Sequence, residues 1–579
     1  VRSFLTLVAV LALGAVLLGR AATASGPERP NVILIITDDQ GYGDLGAHGN
    51  PVIRTPNLDR LHAESVRLTN FHVDPTCAPT RSALMTGRYS TRTGVWNTIA
   101  GRSLMAEDEV TLAQVFQREG YRTGIFGKWH LGESYPLRPQ DRGFDEVLIN
   151  GGGGVGQTPD YWDNDYFDDT YSRNGKPERV SGYCTDVWFR EATRFVEANR
   201  ERPFFLYLAT NAPHSPYRVP PKYAEPYRAQ GVPAPTAAFY GMITNIDENV
   251  GKLRARLREL NLARNTLLVF MTDNGTSAGV VRNPAPGKWA GFNAGMRGTK
   301  GSEYEGGHRV PCFFHWPAGR LTGGRDVPVL TAHVDLLPTF AELCSLKLPD
   351  RELDGRSLSP LLRGEKIAWP ARTLFTHSQR VQDPVKWKQS AVMTDRWRLI
   401  NGKELYDFPA DPGQKTDVAA DHPEVVAALR AEYERWWNSL EPARRRKVAI
   451  TVGHEKQNPV VLTAHDWLSG DRPVPWNQEM IKNQPAANGW WVVKAARAGN
   501  YEFTLRTWPT ELADVPPLDA VSCRLAVGSQ DVTVTVPAGA PEARFQLRLP
   551  EGETRLQTWL KRKDGQEQGA FYVTVRFID

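Results

Sequence analysis

Four short, continuous runs of apolar residues constrain the fold of this chain more than any other feature. They are NVILII (31–36), TGIFG (123–127), FFLYLAT (204–210) and TLLVFMT (266–272). Such runs are typical of strands that are buried on both faces of a sheet. Helical patterns lie between them, at 112–119, 192–199 and 240–260. The alternation predicts an α/β fold with a large, mostly parallel central sheet that helices cover on both sides.

Two further units are expected after this α/β part, which would span residues 25–367. Residues 368–440 contain short strand-like pieces and a helix from about 423, which predicts a small C-terminal α+β subdomain packed against the large one. Residues 441–579 contain alternating segments such as YEFTLRTW (501–508), which predict an extra all-β accessory domain. Six of the 17 tryptophans lie there, and we interpret them as core and rim aromatics rather than a sugar-binding face.

The first 24 residues are expected to be a secretory signal peptide. Arg2 precedes an apolar stretch over 4–18, and small residues up to Ala24 form an Ala-x-Ala cleavage site. The stretch is shorter than the roughly 20 residues of a membrane span, and no second run of that length follows. We therefore expect a secreted or periplasmic protein without stable membrane insertion.

Composition narrows the choice of partners. The 70 Lys and Arg exceed the 65 Asp and Glu by only five charges, too small a surplus to predict a nucleic-acid groove. Five cysteines leave one over even if four form disulfides, and their spacing contains no CxxC metal site.

Two pairs of oxygen-bearing side chains follow the first and the fourth apolar run. They are Asp38 with Asp39, and Asp273 with Asn274. The carboxyl ends of parallel strands meet at one edge of a sheet, and adjacent carboxylates repel each other unless a cation is present. The turn preference of Asp explains either pair alone. Together the pairs indicate a hard divalent ion, and oxygen ligands leave Ca²⁺ and Mg²⁺ open.

A cysteine stands at the expected entrance of a helix, in the string DPTCAPTRSALMTGR (74–88). Arg81 lies one turn after Cys77, so the sulfur would be surrounded by free backbone amides and positive charge. This environment favours a nucleophile and a bound anion. An ordinary buried cysteine near a surface arginine explains the string equally well.

The CxPxR string and the SALMTGRYSTRTG that directly follows it resemble the signature of the type I sulfatases, the arylsulfatase family of the alkaline phosphatase superfamily. The similarity continues in order through GKWHLG (127–132), NAPHSPY (211–217), RGTKGS (297–302) and YEGGHRVP (304–311). It covers roughly residues 31–440. The resemblance implies an alkaline-phosphatase-like sandwich and a sulfuric ester hydrolase that acts on aryl sulfates or sulfated carbohydrates.

The resemblance also implies a modified cysteine and a bound ion. The family's cysteine is converted to formylglycine during export, by a formylglycine-generating or equivalent maturation enzyme, which assigns that modification to Cys77. Four cysteines then remain, Cys184, Cys312, Cys344 and Cys523. The implied ion is one Ca²⁺, with Mg²⁺ the less favoured choice. Its implied ligands are Asp38, Asp39, Asp273, Asn274 and the modified Cys77.

Roles for the basic residues follow from the same resemblance. One hydroxyl of the hydrated aldehyde attacks sulfur, with Arg81 orienting the hydroxyls while Lys128 and Lys300 hold the sulfate. His214, together with Lys300, donates a proton to the leaving oxygen. His130 removes the proton of the second hydroxyl, so that sulfate leaves and the aldehyde returns. The near-neutral pKa of histidine suits both transfers.

Some features stay outside this assignment. The histidines without motif support are His48, His72, His308, His333 and His377. The loops at 130–139, 150–169 and 285–296 are candidate walls of a substrate site. The GxGxxG match at 151–156 precedes no helix, so a dinucleotide site is not predicted. Two alternatives remain: a phosphate or phosphonate ester hydrolase on the same fold, and a non-catalytic protein that binds sulfated glycans.

Overall fold

The computed structural model describes residues 29–281, 284, 289–470 and 472–579. The expected signal peptide and residues 285–288 of one candidate loop lie outside the described residues. Within them, no helix combines the length and the apolar character that crossing a membrane requires.

The α/β part alternates strands and helices in the order that the apolar runs predict. Its strands are β1 (Asn31–Thr37), β2 (Val66–Leu68), β3 (Phe71–His72), β4 (Arg122–Gly127), β5 (Glu146–Ile149), β6 (Thr170–Arg173), β7 (Lys176–Arg179), β8 (Phe204–Ala209), β9 (Thr266–Thr272), β10 (Cys312–His315), β11 (Asp326–Val327) and β12 (Thr331–Ala332). Its helices are α1 (Pro56–Glu64), α2 (Cys77–Thr86), α3 (Leu112–Arg118), α4 (Cys184–Ala198), α5 (Pro221–Arg228), α6 (Ala234–Glu259), α7 (Glu305–His308), α8 (Leu336–Leu343) and α9 (Ser359–Arg363).

A ten-stranded sheet forms the centre, in the order β11-β2-β10-β9-β1-β8-β4-β5-β6-β7. The middle strands β9, β1, β8, β4 and β5 are parallel, whereas β10 and β6 pair with this block in the antiparallel direction. Side chains of β1 alternate between two hydrophobic clusters, with Val32 in one and Ile33 in the other. Both faces are therefore covered, as the unbroken apolar runs predict.

Two helices begin earlier than the sequence pattern indicates. Helix α4 begins at Cys184 rather than near 192, and α6 begins at Ala234 rather than near 240. Pro235 lies in the first turn of α6, where a missing backbone N–H breaks no helical hydrogen bond. Proline here starts the helix instead of interrupting it.

A small antiparallel sheet and one helix follow. They are β13 (Leu374–His377), β14 (Ser390–Met393), β15 (Trp397–Ile400), β16 (Glu404–Asp407) and α10 (Pro423–Ser439). The predicted α+β architecture is confirmed, with β16 as a strand that the sequence analysis missed. Leu399 and Tyr433 share a hydrophobic cluster with Ala83 of α2 and with Val334, which fixes this unit against the α/β part.

The remaining chain forms two antiparallel-rich sheets that pack face to face. The elements are β17 (Ile450–Val452), β18 (Val460–Thr463), α11 (Gln478–Lys482), β19 (Trp490–Ala495), β20 (Gly499–Arg506), β21 (Ser522–Val527), β22 (Gln530–Thr535), β23 (Ala543–Leu549), β24 (Gly552–Lys561), β25 (Glu567–Gln568) and β26 (Tyr572–Phe577). One sheet has six strands and the other four. Trp491 is buried between them, so this tryptophan belongs to the core. Leu104 and Leu137 of the α/β part join the same cluster.

Candidate active site

The two pairs of oxygen-bearing residues meet at the carboxyl edge of the central sheet. Strands β1 and β9 are parallel neighbours in the register Thr37 to Thr272, so the residues that follow them emerge side by side. The backbone N–H of Asp39 donates to Oδ1 of Asp273 at 3.0 Å. Asp39 has a φ of 68°, a left-handed conformation that an aspartate adopts only where the surrounding structure holds it.

These side chains fit a hard cation. Asp38, Asp39, Asp273 and Asn274 are at most 2% exposed. A carboxylate oxygen of Asp38, one of Asp273 and Sγ of Cys77 all lie within 4.8 Å of one another. Oδ1 of Asp38 and Oδ1 of Asn274 are buried and have no hydrogen-bond partner among the described residues. Buried oxygens without a donor are costly, and a divalent ion is the partner that this donor set suits.

Three cations are paired with the three carboxylates. The pairs are Lys128 Nζ with Asp38 Oδ2 at 2.6 Å, Lys300 Nζ with Asp39 Oδ1 at 2.6 Å, and Arg81 Nη2 with Asp273 Oδ2 at 2.8 Å. The side chains of Arg81 and Lys128 are fully buried, whereas that of Lys300 is 16% exposed. The site therefore presents positive charge to an incoming anion from Lys300 in particular.

The carboxyl pKa values reflect this crowding. Burial raises the pKa of Asp38, and the charge of Lys128 opposes that effect only in part. Burial and the neighbouring Asp38 raise the pKa of Asp273 to about 6. Burial also acts to raise the pKa of Asp39, but the positive charge of Lys300, with smaller contributions from other neighbouring groups, outweighs burial and lowers that pKa. A dication beside these groups would favour their charged forms.

Cys77 is the first residue of α2, and its side chain lies beside the acid pairs. Thr76 has the extended backbone of a helix N-cap, so the sulfur lies near the free amides of the first turn. Arg81, one turn later, donates from Nη1 to the backbone carbonyl of Lys128 at 3.2 Å. Burial lowers the pKa of Arg81, but Tyr207 and Asp273 outweigh that effect and raise it.

His130 follows β4 with its two ring nitrogens in different surroundings. Nε2 lies 2.8 Å from the backbone carbonyl oxygen of Thr98. A carbonyl only accepts, so Nε2 carries a proton and the neutral ring has its lone pair on Nδ1. Nδ1 is buried and has no partner among the described residues. Burial and then Lys128 hold the pKa of His130 well below its usual range, which makes Nδ1 a free base.

His214 follows β8 and has the opposite arrangement. Nδ1 donates to the carbonyl of Ser215 at 2.6 Å, which leaves Nε2 as the reactive nitrogen, 3.8 Å from Asp39 Oδ2. Burial and then Lys300 lower the pKa of His214 to about 4 in the site without a bound anion. The hydroxyl of Tyr166 donates to the backbone carbonyl of His214 at 2.8 Å and holds this turn in place.

The glycine-rich loop at 150–169 packs directly on both histidines. A Cβ added to Gly153 would lie 2.2 Å from Cε1 of His130, and one added to Gly154 would lie 3.2 Å from Nδ1 of His214. The amide of Gly152 donates to Oε1 of Glu133 at 2.5 Å. These glycines let the backbone approach the rings, which is a contact that the sequence analysis did not identify.

The other histidines and cysteines lie elsewhere. His72 and His308 form a separate buried group with Glu305, His333 contacts Asp74, and His377 contacts Thr91. All five cysteines are buried and free, so no disulfide joins any two of them. The residues that sequence reasoning missed are Thr98, which acts through its backbone, Gly153, and His465, whose ring centroid lies 6.3 Å from that of His130.

Carboxylates and cations gathered at the carboxyl ends of parallel strands, beside a buried cysteine at a helix N-terminus, indicate a metal-dependent ester hydrolase. Residues 30–346 match the Sulfatase family, and residues 299–438 match the family described as N-sulphoglucosamine sulphohydrolase, C-terminal.

Known proteins agree with this match. The chain is 30% identical to steryl-sulfatase of Mus musculus over 542 residues, which covers 73% of this chain and 84% of that protein. It is 32% identical to arylsulfatase A of Homo sapiens over 477 residues, covering 72% and 89%. The crystal structure of Ps i-CgsB in complex with k-i-k-neocarrahexaose superposes with a TM-score of 0.62 at 30% identity, covering 71% and 93%.

The chain therefore belongs to the sulfatase family, as a type I sulfatase of the alkaline phosphatase superfamily. It is a sulfuric ester hydrolase, and the phosphate-ester and non-catalytic alternatives are not favoured. Membership implies a formylglycine, a divalent metal and a sulfated substrate.

Proposed function

We propose that this sulfatase uses Ca²⁺ and a formylglycine derived from Cys77 to hydrolyse aryl sulfates or sulfated carbohydrates. One observation carries the proposal: buried oxygens of Asp38 and Asn274 have no partner among the described residues, and Asp38 lies in a cluster with Asp273 and the sulfur of Cys77. A cation and the modified side chain account together for both the free oxygens and the position of residue 77.

The proposed calcium ligands are Asp38, Asp39, Asp273, Asn274 and residue 77. The choice of calcium over magnesium is supported by the number of protein oxygens, because Mg²⁺ usually keeps several water ligands and Ca²⁺ accepts a larger protein cage. A bound dication would offset the negative charge of the sulfate ester and hold one of its oxygens. Lys128 is fully buried against Asp38, and Lys300 faces the more open side.

The proposed proton transfers follow from the two histidine rings. Hydrated formylglycine supplies one hydroxyl for attack on sulfur and a second whose deprotonation releases sulfate. Arg81 orients these hydroxyls from the next turn of α2. His130 takes the second proton at Nδ1, because Nε2 is already committed to Thr98. His214 donates from Nε2 to the leaving oxygen, assisted by Lys300, after a bound anion has raised its affinity for a proton.

Substrate recognition is proposed to involve the loops beside the histidines and a cleft next to Lys300. That cleft has a volume of about 670 Å³ and includes Arg297 and Arg380 in its lining. Its basic lining supports an anionic substrate. Relatives named for steryl, aryl and N-acetylgalactosamine 6-sulfates, and a structure holding a neocarrahexaose, support either an aryl or a carbohydrate sulfate.

Export and maturation complete the proposal. We expect a secreted or periplasmic protein whose signal peptide, at residues 1–24, is removed, and a formylglycine-generating or equivalent enzyme as its maturation partner. The catalytic unit would span 25–367, with the α+β unit at 368–440 and the β-rich unit at 441–579. Each of these three parts supplies most of the residues of one hydrophobic cluster, which supports that division.

The test is the mass of the peptide that contains residue 77, measured beside sulfate release. We expect the mass of formylglycine in active preparations, and a loss of at least about a thousandfold in turnover for Cys77→Ala with an unchanged melting temperature. Cys344→Ala, which removes another buried free cysteine, is the matched control and should stay active. Full activity with an unmodified cysteine at position 77 would refute the proposal.

A further inference from the structure

One corner of the β-rich part reaches the active site. A short turn at Ala464–Asp466 follows β18, and its middle residue, His465, is 2% exposed. The rings of His465 and His130 lie 6.3 Å apart between centroids, at an angle of 55°. A histidine from outside the region of family resemblance is therefore the neighbour of the proposed base.

The backbone of this corner holds the loop that fixes His130. The amide of Ala100 donates to the carbonyl of His465 at 2.8 Å. A Cβ added to Gly101 would lie 2.8 Å from the carbonyl oxygen of Asp466, so the two segments touch closely. Thr98, in the same loop, accepts the hydrogen bond from Nε2 of His130.

The His465 side chain has an unused nitrogen. Nδ1 lies 3.0 Å from Oδ1 of Asp466, and a carboxylate accepts, so Nδ1 carries the proton. Nε2 is left with a lone pair, buried and without a partner among the described residues. The ring centroids of His465 and His130 lie 6.3 Å apart, so this free nitrogen belongs to a ring that packs beside that of His130. The hydrogen bond to Asp466 holds the His465 ring against that of His130.

We propose that His465 is a positioning residue for His130, so that the β-rich part completes the machinery that releases sulfate. The inference rests on the proposed function above. In the step concerned, the free hydroxyl of the sulfated residue 77 gives its proton to Nδ1 of His130 and becomes the aldehyde carbonyl. The bond between its carbon and the sulfate oxygen breaks, and sulfate leaves with that electron pair. His465 keeps the receiving ring in the orientation that this transfer needs.

The test separates release of the alcohol from release of sulfate. His465→Phe keeps a flat ring of similar size and removes both nitrogens. His454→Phe is the matched control, because His454 also lies between the two parts, with its ring stacked 4.0 Å from that of Tyr135. Full-length enzymes with verified conversion at residue 77 are mixed with an aryl sulfate and quenched during turnover. The readouts are the initial burst of alcohol, the rate of sulfate release, and the fraction of residue-77 peptide that carries a sulfo group.

We expect His465→Phe to keep its alcohol burst and to release sulfate about tenfold more slowly, so that the sulfo form of the peptide accumulates. His454→Phe should match the unaltered enzyme in every readout. If His465→Phe and the unaltered enzyme show the same rate of sulfate release and the same sulfo fraction, the role of His465 is overturned and the proposed function is not affected. Absence of formylglycine or of sulfate release in the unaltered enzyme would instead overturn the proposed function.

A second variant and a structural readout guard against misfolding. If His465→Phe melts at a lower temperature, His465→Gln, which retains a polar acceptor, replaces it and should recover most of the sulfate-release rate. A crystal structure of His465→Phe should show the His130 ring displaced from Thr98, and one of His465→Gln should show the ring in place. An unmoved ring in His465→Phe together with unchanged kinetics would refute the positioning role.

Discussion

At the scale of single residues, backbone carbonyls decide which nitrogen of each active-site histidine carries the proton. Thr98 accepts from Nε2 of His130, and Ser215 accepts from Nδ1 of His214. The two rings thus present different nitrogens, although both have pKa values lowered first by burial. Neighbouring carbonyls therefore distinguish two otherwise identical side chains, and this difference underlies the proposed roles of His130 as base and His214 as donor.

Gly153 gives a residue-scale prediction. Gly153→Ala should lower turnover about a hundredfold, because the new methyl group would lie 2.2 Å from Cε1 of His130 and must displace the ring. Steady-state sulfate release and the melting temperature are the measurements. Gly154→Ala, whose methyl group would lie 3.2 Å from His214, is the comparison and should lose less. Equal activity of Gly153→Ala and the unaltered enzyme would contradict the contact.

At the scale of elements, a buried ion pair joins α7 to β15. Arg398 Nε lies 2.6 Å from Glu305 Oε1, and both side chains are fully buried. Burial alone would raise the pKa of Glu305, but Arg398 and then His72 outweigh it and lower the pKa to about 2. This ion pair connects the α/β part to the small antiparallel sheet.

Replacing this carboxylate should change the pH dependence of stability. Glu305→Gln keeps the shape and should lower the free energy of unfolding by about 3 kcal/mol at neutral pH, because Arg398 is left buried without its partner. The pKa of Glu305 in the folded protein, about 2, lies below its ordinary value of 4.5. The stabilisation by its charge is therefore complete above pH 4.5 and is lost as pH falls through about 2. Urea unfolding of both proteins at several pH values measures their free energies of unfolding.

The difference between Glu305→Gln and the unaltered protein should shrink below about pH 4.5. A difference that stays constant into strong acid would show that the charge of Glu305 plays no part. Asp326→Asn, at an exposed carboxylate paired with Arg67, is the control and should change stability by less than about 1 kcal/mol.

At the scale of the whole molecule, the catalytic edge of the central sheet gathers segments from all along the α/β part. Strands β1, β4, β8 and β9 each end there, and the small sheet and the β-rich part close around it. A bound cation in the middle of these segments would connect them, so metal binding should stabilise the whole fold rather than one loop.

Removing the metal tests that connection. Chelation should lower the melting temperature, and free Ca²⁺ at about a hundredfold above its dissociation constant should restore about 2.7 kcal/mol, with Mg²⁺ less effective. Calorimetry and elemental analysis are the measurements. Asp273→Ala should contain less calcium and respond little, whereas Asp350→Ala, at an exposed position, should behave like the unaltered enzyme. Recovery with Mg²⁺ equal to that with Ca²⁺ would contradict the choice of ion.

Much of the fold and of this edge could be predicted because strand, acid and base lie close together in sequence. The apolar runs give the parallel strands, and Asp38, Lys128, His214 and Asp273 each follow one of them. The contribution of Thr98 is not visible in its residue type, because a backbone carbonyl carries no sequence signal. His465 comes from a distant sheet, and only tertiary packing brings it to His130.

The burial of Cys77 bears on the order in which this protein would be modified and folded. Cys77 is 2% exposed, and every residue of its helix is buried. Under the maturation proposed above, the modifying enzyme would have to reach Cys77 before the chain folds around it. A molecule that folded first would keep its thiol and lack the proposed nucleophile, so the timing of conversion during biogenesis would set the fraction of molecules that become active.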